Sequence, residues 1–597
     1  MTQTTTPTTP TAAQWRGGEA ETAFLGSLDV NTAWSLVEEF TRYVRESGTE
    51  GEQQAVDAIT RRLTEWGVPH TVHRPRCWIS LPRGATVTAH LNDGTTREFP
   101  GTTPAFSIPT GDGGITGTAS VMQTQHAGHV NTLFTSGLGD FDGDIAEKIA
   151  VLDSLPMPGR VGDLTKAGVA AAVFISPGDR VHEGICTPIW GTPDLDTVGA
   201  MPSLSVAEVS KPDGAWLKEQ IAAGNVQNLT VRTKLETRWR EIPVIVAEIR
   251  GASVPEEFVL VHGHLDSWGE GIGDNTTGDA TLLELARDLH THRDTLARSV
   301  RVAWWSGHSH GRYAGSTWYA DAFALDLMAN CAAQVNCDSP GCRWATEYRN
   351  IAWTPEMAAF TQAVIRDLTG LEAEGERPPR AGDYSFNNLG VSGTLMLSST
   401  MPDGLRAEKG YYAVGGCGGN IAWHTVDDTF EIADRDNLTR DLQVYGAIVW
   451  RLANAPVLPF DLVALGTELQ GTIAGYAQTV GDRGDLHAAS EAASVFLATA
   501  RSFAASLHAT DAAHGATVNA KLRRAVRHLT TLNFAQRGPF RQEPALEVPP
   551  IPDLHAATRA LAEAAPESDT FGTALTSLVR ARNRTAYALL EAARELA

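Results

Sequence analysis

Between residues 243 and 455, short apolar runs alternate with amphipathic segments, and this constrains the fold of the 597-residue chain more than any other feature. "VIVAEIRG", "FVLVHGHLD", "VRVAWWSG", "CAAQVNCD" and "GTLMLSS" have the length and apolar continuity of strands buried on both faces. Segments such as "TTGDATLLELARDLHTH" lie between them with helical periodicity. The pattern predicts an α/β fold: a mixed, mainly parallel sheet flanked by helices. Residues 30–66 read as two further helices separated by a Gly-containing break, and they join the sheet in one domain, 21–84 with 243–457. Residues 85–242 change to short alternating runs rich in Gly, Pro and Thr, which predicts an inserted β-rich domain. Ala/Leu-rich periodicity predicts a helical domain over 458–597, and the Thr/Pro-rich residues 1–20 read as a disordered leader.

A formal charge of −22 argues against nucleic acid or an anionic membrane as partner. No apolar run approaches the roughly 18–20 residues that cross a bilayer. The N-terminus has neither a basic start nor an apolar core of the secretory kind, and the six cysteines show no CxxC spacing. Reduced thiols and a cytoplasmic location are the expectation.

Chemistry concentrates at the carboxyl ends of the expected strands, the ligand-binding side of an open α/β sheet. His264 and Asp266 end "FVLVHGHLD", Asp274 follows in "GIGDNTTGD", Asp338 ends "CAAQVNCD", and His424 lies in "IAWHTVDDT". Two imidazoles and two carboxylates suit zinc, in one or two ions, and Asp266 is expected to orient His264 from behind. After "VRVAWWSG" comes His308-Ser309-His310. If the strand continues, 308 and 310 share a face; a turn after Gly307 separates them. His126 and His129 read as loop histidines, and His290 and His292 as groups at a helix end.

The ordered set "HLDSWGEGIGDNTTGDATLLELARDL", "CDSPG", "GDYSFNNLGVSG" and "WHTVDDTFE" resembles the M28 family of co-catalytic zinc peptidases, in the branch of glutamate carboxypeptidase II and the transferrin receptor. The resemblance implies that 85–242 is a protease-associated domain and that 458–597 mediates a homodimer. It also implies that His264 and Asp338 hold one metal, Asp274 bridges, and His424 serves a second. The family's two adjacent glutamates, a general base and a ligand, are absent; His308, Ser309 and His310 stand there. This reading makes His308 the catalytic group, His310 a conditional ligand and Glu270 the fallback base. Asp383, Tyr384, Asn387 and Asn388 are the expected substrate contacts.

The function expected is metal-dependent hydrolysis of an amide or peptide bond in a small substrate with a base other than glutamate. The alternatives are a catalytically inactive binding scaffold and a non-hydrolytic acyltransferase or cyclase. Imidazole suits the altered position, since it binds zinc and titrates near neutrality at ~6.5.

Overall fold

The computed structural model describes residues 18–129, 132–133, 145–395, 399–507 and 515–597. Eight strands form the central sheet: β1 (His70–His73), β2 (Val244–Ile249), β3 (Val254–His264), β4 (Arg298–Trp305), β5 (Cys331–Asn336), β6 (Tyr348–Trp353), β7 (Ala373–Glu376) and β8 (Gly393–Leu395). Their order is β1-β2-β4-β3-β5-β8-β6-β7. The middle of the sheet, β4-β3-β5-β8, is parallel, and antiparallel pairs appear toward both edges. Every residue of β3 from Phe258 onward is buried, as expected for a central strand covered on both faces. Trp304 and Trp305 are fully buried in different apolar clusters, as alternation along β4 requires. The expected mixed, mainly parallel α/β architecture is present; β1, β6 and β7 are short strands that the apolar runs did not announce.

Two four-stranded sheets make up the inserted unit. Its long strands Arg76–Leu91 and Val226–Glu241 pair antiparallel from Arg76 opposite Glu241, so it starts ahead of residue 85. The expected boundary at 85 falls late because Pro82 and Gly84 interrupt the apolar pattern of a strand that runs on from Arg76. After residue 460 every regular element among the described residues is a helix, from Leu462–Val480 to Asp569–Leu596. Residues 18–20, expected to belong to a disordered leader, begin a helix, Gly18–Ser27, whose Phe24 stacks on Trp450 at 4.6 Å; residues 1–17 lie outside the described residues. All six cysteines are buried free thiols.

Close approach at the end of β3 positions the site. A Cβ on Gly263 would lie 2.3 Å from the Cys337 carbonyl oxygen and 3.0 Å from Asn275 Nδ2. Asn275 Nδ2 donates to the carbonyls of His264 and Cys337, so one amide joins both strand ends to the loop carrying Asp274. Gly263→Ala is expected to destabilise the protein by about 1–3 kcal/mol through overpacking. Thermal or denaturant unfolding against the wild type measures it.

Candidate metal centre

Asp274 sits between two imidazoles. His264 Nε2 lies 2.8 Å from its Oδ1 and His424 Nε2 lies 3.0 Å from its Oδ2. Asp338 Oδ2 approaches His264 Nε2 at 3.7 Å, so the four residues expected to gather from separate strand ends do meet. The backbone orients them: His264 Nδ1 contacts the Asp266 carbonyl and His424 Nδ1 the Glu183 carbonyl, both at 2.8 Å. With each Nδ1 committed to a carbonyl, Nε2 is the nitrogen of each ring that faces the cluster. The Asp274 loop is held from behind by Asp428, which accepts from the N–H groups of Gly273 and Asp274 at 2.7 and 3.0 Å. Fully buried Arg45 donates to the carbonyls of Leu265, Glu270 and Gly271 on the same loop.

β4 stops at Trp305, and Gly307 turns the chain with φ of 74°. That turn separates the two histidines. His308 stacks on His264 with centroids 3.8 Å apart, and its Nδ1 lies 2.8 Å from Asp383 Oδ2. Asp383 Oδ1 accepts from Ser316 Oγ at 2.6 Å. His264, His308 and Asp338 each offer a ligand atom, all within 4.8 Å of one another. His310 instead packs behind the site against Trp268, with Nδ1 near Ser47 Oγ at 3.1 Å and Asp266 Oδ2 at 3.6 Å. It is fully buried and outside that three-residue set, which corrects its assignment as a conditional ligand.

Other assignments also change. Asp266 orients His264 through its carbonyl; its carboxylate instead accepts from the N–H groups of His308 and Ser309 and from Ser47 Oγ, and so shapes the turn after β4. Glu270 is partly exposed and gives the site only its carbonyl, through Arg45, so a base role finds no support. In the expected substrate loop, Asp383 faces His308, and Asn387 accepts from Gln334. Asn388 donates to Pro539 of the helical unit, and the Tyr384 hydroxyl is buried away from the cleft. The loop's polar groups point inward because two other units press on it. What it presents to the cleft is Ala381 and Gly382.

An open cleft is lined by Asp274, His308, Asp338 and His424. Glu183, Arg312 and Tyr313 also line it; no local motif announced them, because their position depends on packing between distant segments. Burial penalises every charge here. Despite it, the hydrogen bond to Asp274 and the fields of Asp274, Asp338 and Asp266 hold His264 well above its ordinary value. Against the same penalty, His264 and His424 hold Asp274 well below the usual carboxylate range. Burial and the Asp274 charge push Asp338 up. Two closely set carboxylates and two imidazole Nε2 atoms, neutral when they ligate, form a donor set that fits a divalent cation of the zinc class.

Comparison with known proteins agrees. Residues 244–449 match the description of Peptidase family M28. A probable glutamate carboxypeptidase VP8 of Zea mays is 25% identical over 249 residues, 39% of this chain and 34% of that protein. An aminopeptidase of Pseudomonas aeruginosa is 28% identical over 261 residues, 40% of this chain and 46% of that one. The chain thus matches less than half the length of these relatives. A zinc aminopeptidase structure from Bacillus subtilis shares the fold with a TM-score of 0.53 at 18% identity, over 72% of this chain and 96% of that one.

His264→Ala is expected to abolish stoichiometric zinc binding, whereas Glu270→Gln leaves it unchanged. Elemental analysis of protein purified without chelator distinguishes the two.

Proposed function

We propose that this chain, whose residues 244–449 are a peptidase family M28 domain, is a zinc-dependent hydrolase of a peptide or amide bond in a small substrate, with His308 as its proton acceptor. One observation carries the reading: the Ser316–Asp383–His308 chain of hydrogen bonds ends on an imidazole stacked against the ligand His264. His264, Asp274, Asp338 and His424 would hold metal, which when bound polarises a carbonyl and makes water more acidic.

The protein's own groups then do the following. With Nδ1 committed to Asp383, His308 has Nε2 left for the cleft. There it takes a proton from the attacking water as the new C–O bond forms. The resulting imidazolium returns that proton to the departing nitrogen as the C–N bond breaks. Asp383 keeps the tautomer and stabilises the charged ring; Ser316 fixes Asp383. Asp266 positions His308 through its N–H.

A second reading is favoured by the 4.8 Å grouping of His264, His308 and Asp338: His308 is itself a ligand of a single metal. His308→Ala separates the two. The first reading expects turnover of a dipeptide to fall by roughly 10²–10⁴ with metal retained; loss of metal supports the second. His310→Ala, by contrast, is expected to leave metal content intact and lower thermal stability, because it opens a cavity behind Trp268. Wild-type protein that binds no metal and cleaves no peptide ends both readings in favour of an inactive scaffold.

A further inference from the structure

Two thiols meet where three loops of the metal centre converge. Cys342 lies shortly after Asp338, Cys417 shortly before His424, and Gly273 directly before Asp274. Cys342 Sγ donates to the Gly273 carbonyl at 3.8 Å, and Cys417 Sγ donates to Asp428 Oδ2 at 3.5 Å. The two side chains are also in hydrogen-bonding contact with each other. A Cβ on Gly418 would lie 3.1 Å from Cys342 Cβ, and one on Gly273 would lie 2.7 Å from Cys417 Sγ. Both sulfurs therefore pack against the backbone that presents Asp274. Cys417 itself is left-handed, with φ of 51°, a costly conformation for a residue with a side chain.

The pairing is specific. Cys337, closest to Cys342 in sequence, packs into the main core with its Sγ toward the Gly278 carbonyl at 3.8 Å. Cys342 and Cys417 belong instead to a separate cluster with Trp423 and Ile432. Both are fully buried, yet the cover over Cys417 is thin. Gly416, Gly418 and Gly419 line an open cavity, together with Ser339, whose Oγ accepts from the Cys417 N–H at 3.0 Å. A wall of glycine backbone favours a small neutral oxidant over a bulky one. Two thiols in contact behind such a wall are placed for a disulfide, and the hydrolytic scheme uses neither.

We propose that Cys342 and Cys417 form a reversible disulfide on exposure to hydrogen peroxide, and that this modification loosens the metal loop. One sulfur attacks a peroxide oxygen; the O–O bond breaks, and the thiol proton leaves with the departing hydroxide as water. The second sulfur then attacks the sulfenic acid so formed. The S–S bond forms, the S–O bond breaks, and the second thiol proton leaves with the hydroxyl as another water. Two cysteines are oxidised and one peroxide is reduced. No S–H remains, so the Gly273 carbonyl and Asp428 Oδ2 each lose a buried donor. Closing the sulfurs to a bond of about 2 Å also moves Cys417 Sγ from its seat on Gly273. Asp274 is the next residue, and its placement between His264 and His424 is disturbed. The consequence for metal rests on the site proposed above; the disulfide does not.

The test treats zinc-loaded full-length protein with hydrogen peroxide and then with dithiothreitol. Wild type is expected to lose two of its six free thiols, and peptide mapping should join the Cys342 peptide to the Cys417 peptide. Zinc transfer to a chromogenic chelator should quicken by roughly 10–100-fold and recover on reduction. Cys417→Ser keeps a donor for Asp428 and cannot form the bond, so its zinc release should ignore peroxide. Cys342→Ala gives the same reading if the serine variant folds poorly. Amide exchange of loop 271–276 in metal-free protein should also rise on oxidation, so a protein that holds no zinc does not hide the result. Failure to join these two cysteines, or joining of either to another, overturns the proposal. So does a disulfide that changes neither zinc release nor loop exchange, or a peroxide response that survives Cys417→Ser. Disulfide and loop response without zinc binding support the proposal and remove the hydrolase reading alone.

Discussion

One carboxylate shared between two histidines holds the molecule's working centre together. Asp274 takes His264 on one oxygen and His424 on the other. His264 ends the central strand, and His424 belongs to a loop about 160 residues further along whose ring is held by the inserted unit's Glu183 carbonyl. Sheet, loop and inserted unit are thus coupled at a single buried anion. Such a group is costly in low dielectric unless fully compensated. Asp428 and Asn275 hold the loop that carries it, and Arg45 closes the loop from the outside.

What sequence reading reached, and what it missed, follows from this geometry. His264 and Asp338 end apolar runs, and Asp274 follows in a glycine-flanked loop; such strand-end positions are local and visible in the order of residues. The sheet itself was legible for the same reason, since β3 and β5 are continuous apolar stretches. The fate of His310 was not legible, because it turns on whether β4 continues past Trp305, and the left-handed Gly307 decides that. Asp383 was singled out for the wrong partner. Its neighbour across the site, His308, arrives from a different strand, and no spacing encodes that encounter.

The loop around Asp383 illustrates how three units shape one cleft. Trp190 of the inserted unit lies against Arg380 and Tyr313. Gln542 and Glu543 of the helical unit take the same arginine from the other side. Polar residues that look substrate-facing in the sequence are consumed by these contacts. The cleft is left with glycine and alanine from this loop and with charged groups from elsewhere. The junctions between units thus shape the cleft as much as the central sheet does.

The inserted unit enters and leaves through adjacent residues, Arg76 opposite Glu241. β1 lies just before it, yet pairs with β2 just after it, His70 opposite Ala247. During synthesis, the edge of the central sheet cannot close until the whole intervening stretch has emerged. Because both ends of that stretch are side by side, its own compaction brings β1 and β2 together and reduces the loop that their pairing must close. Assembly order is therefore written into the insertion point, with the peripheral unit acting as a splint for the sheet it interrupts.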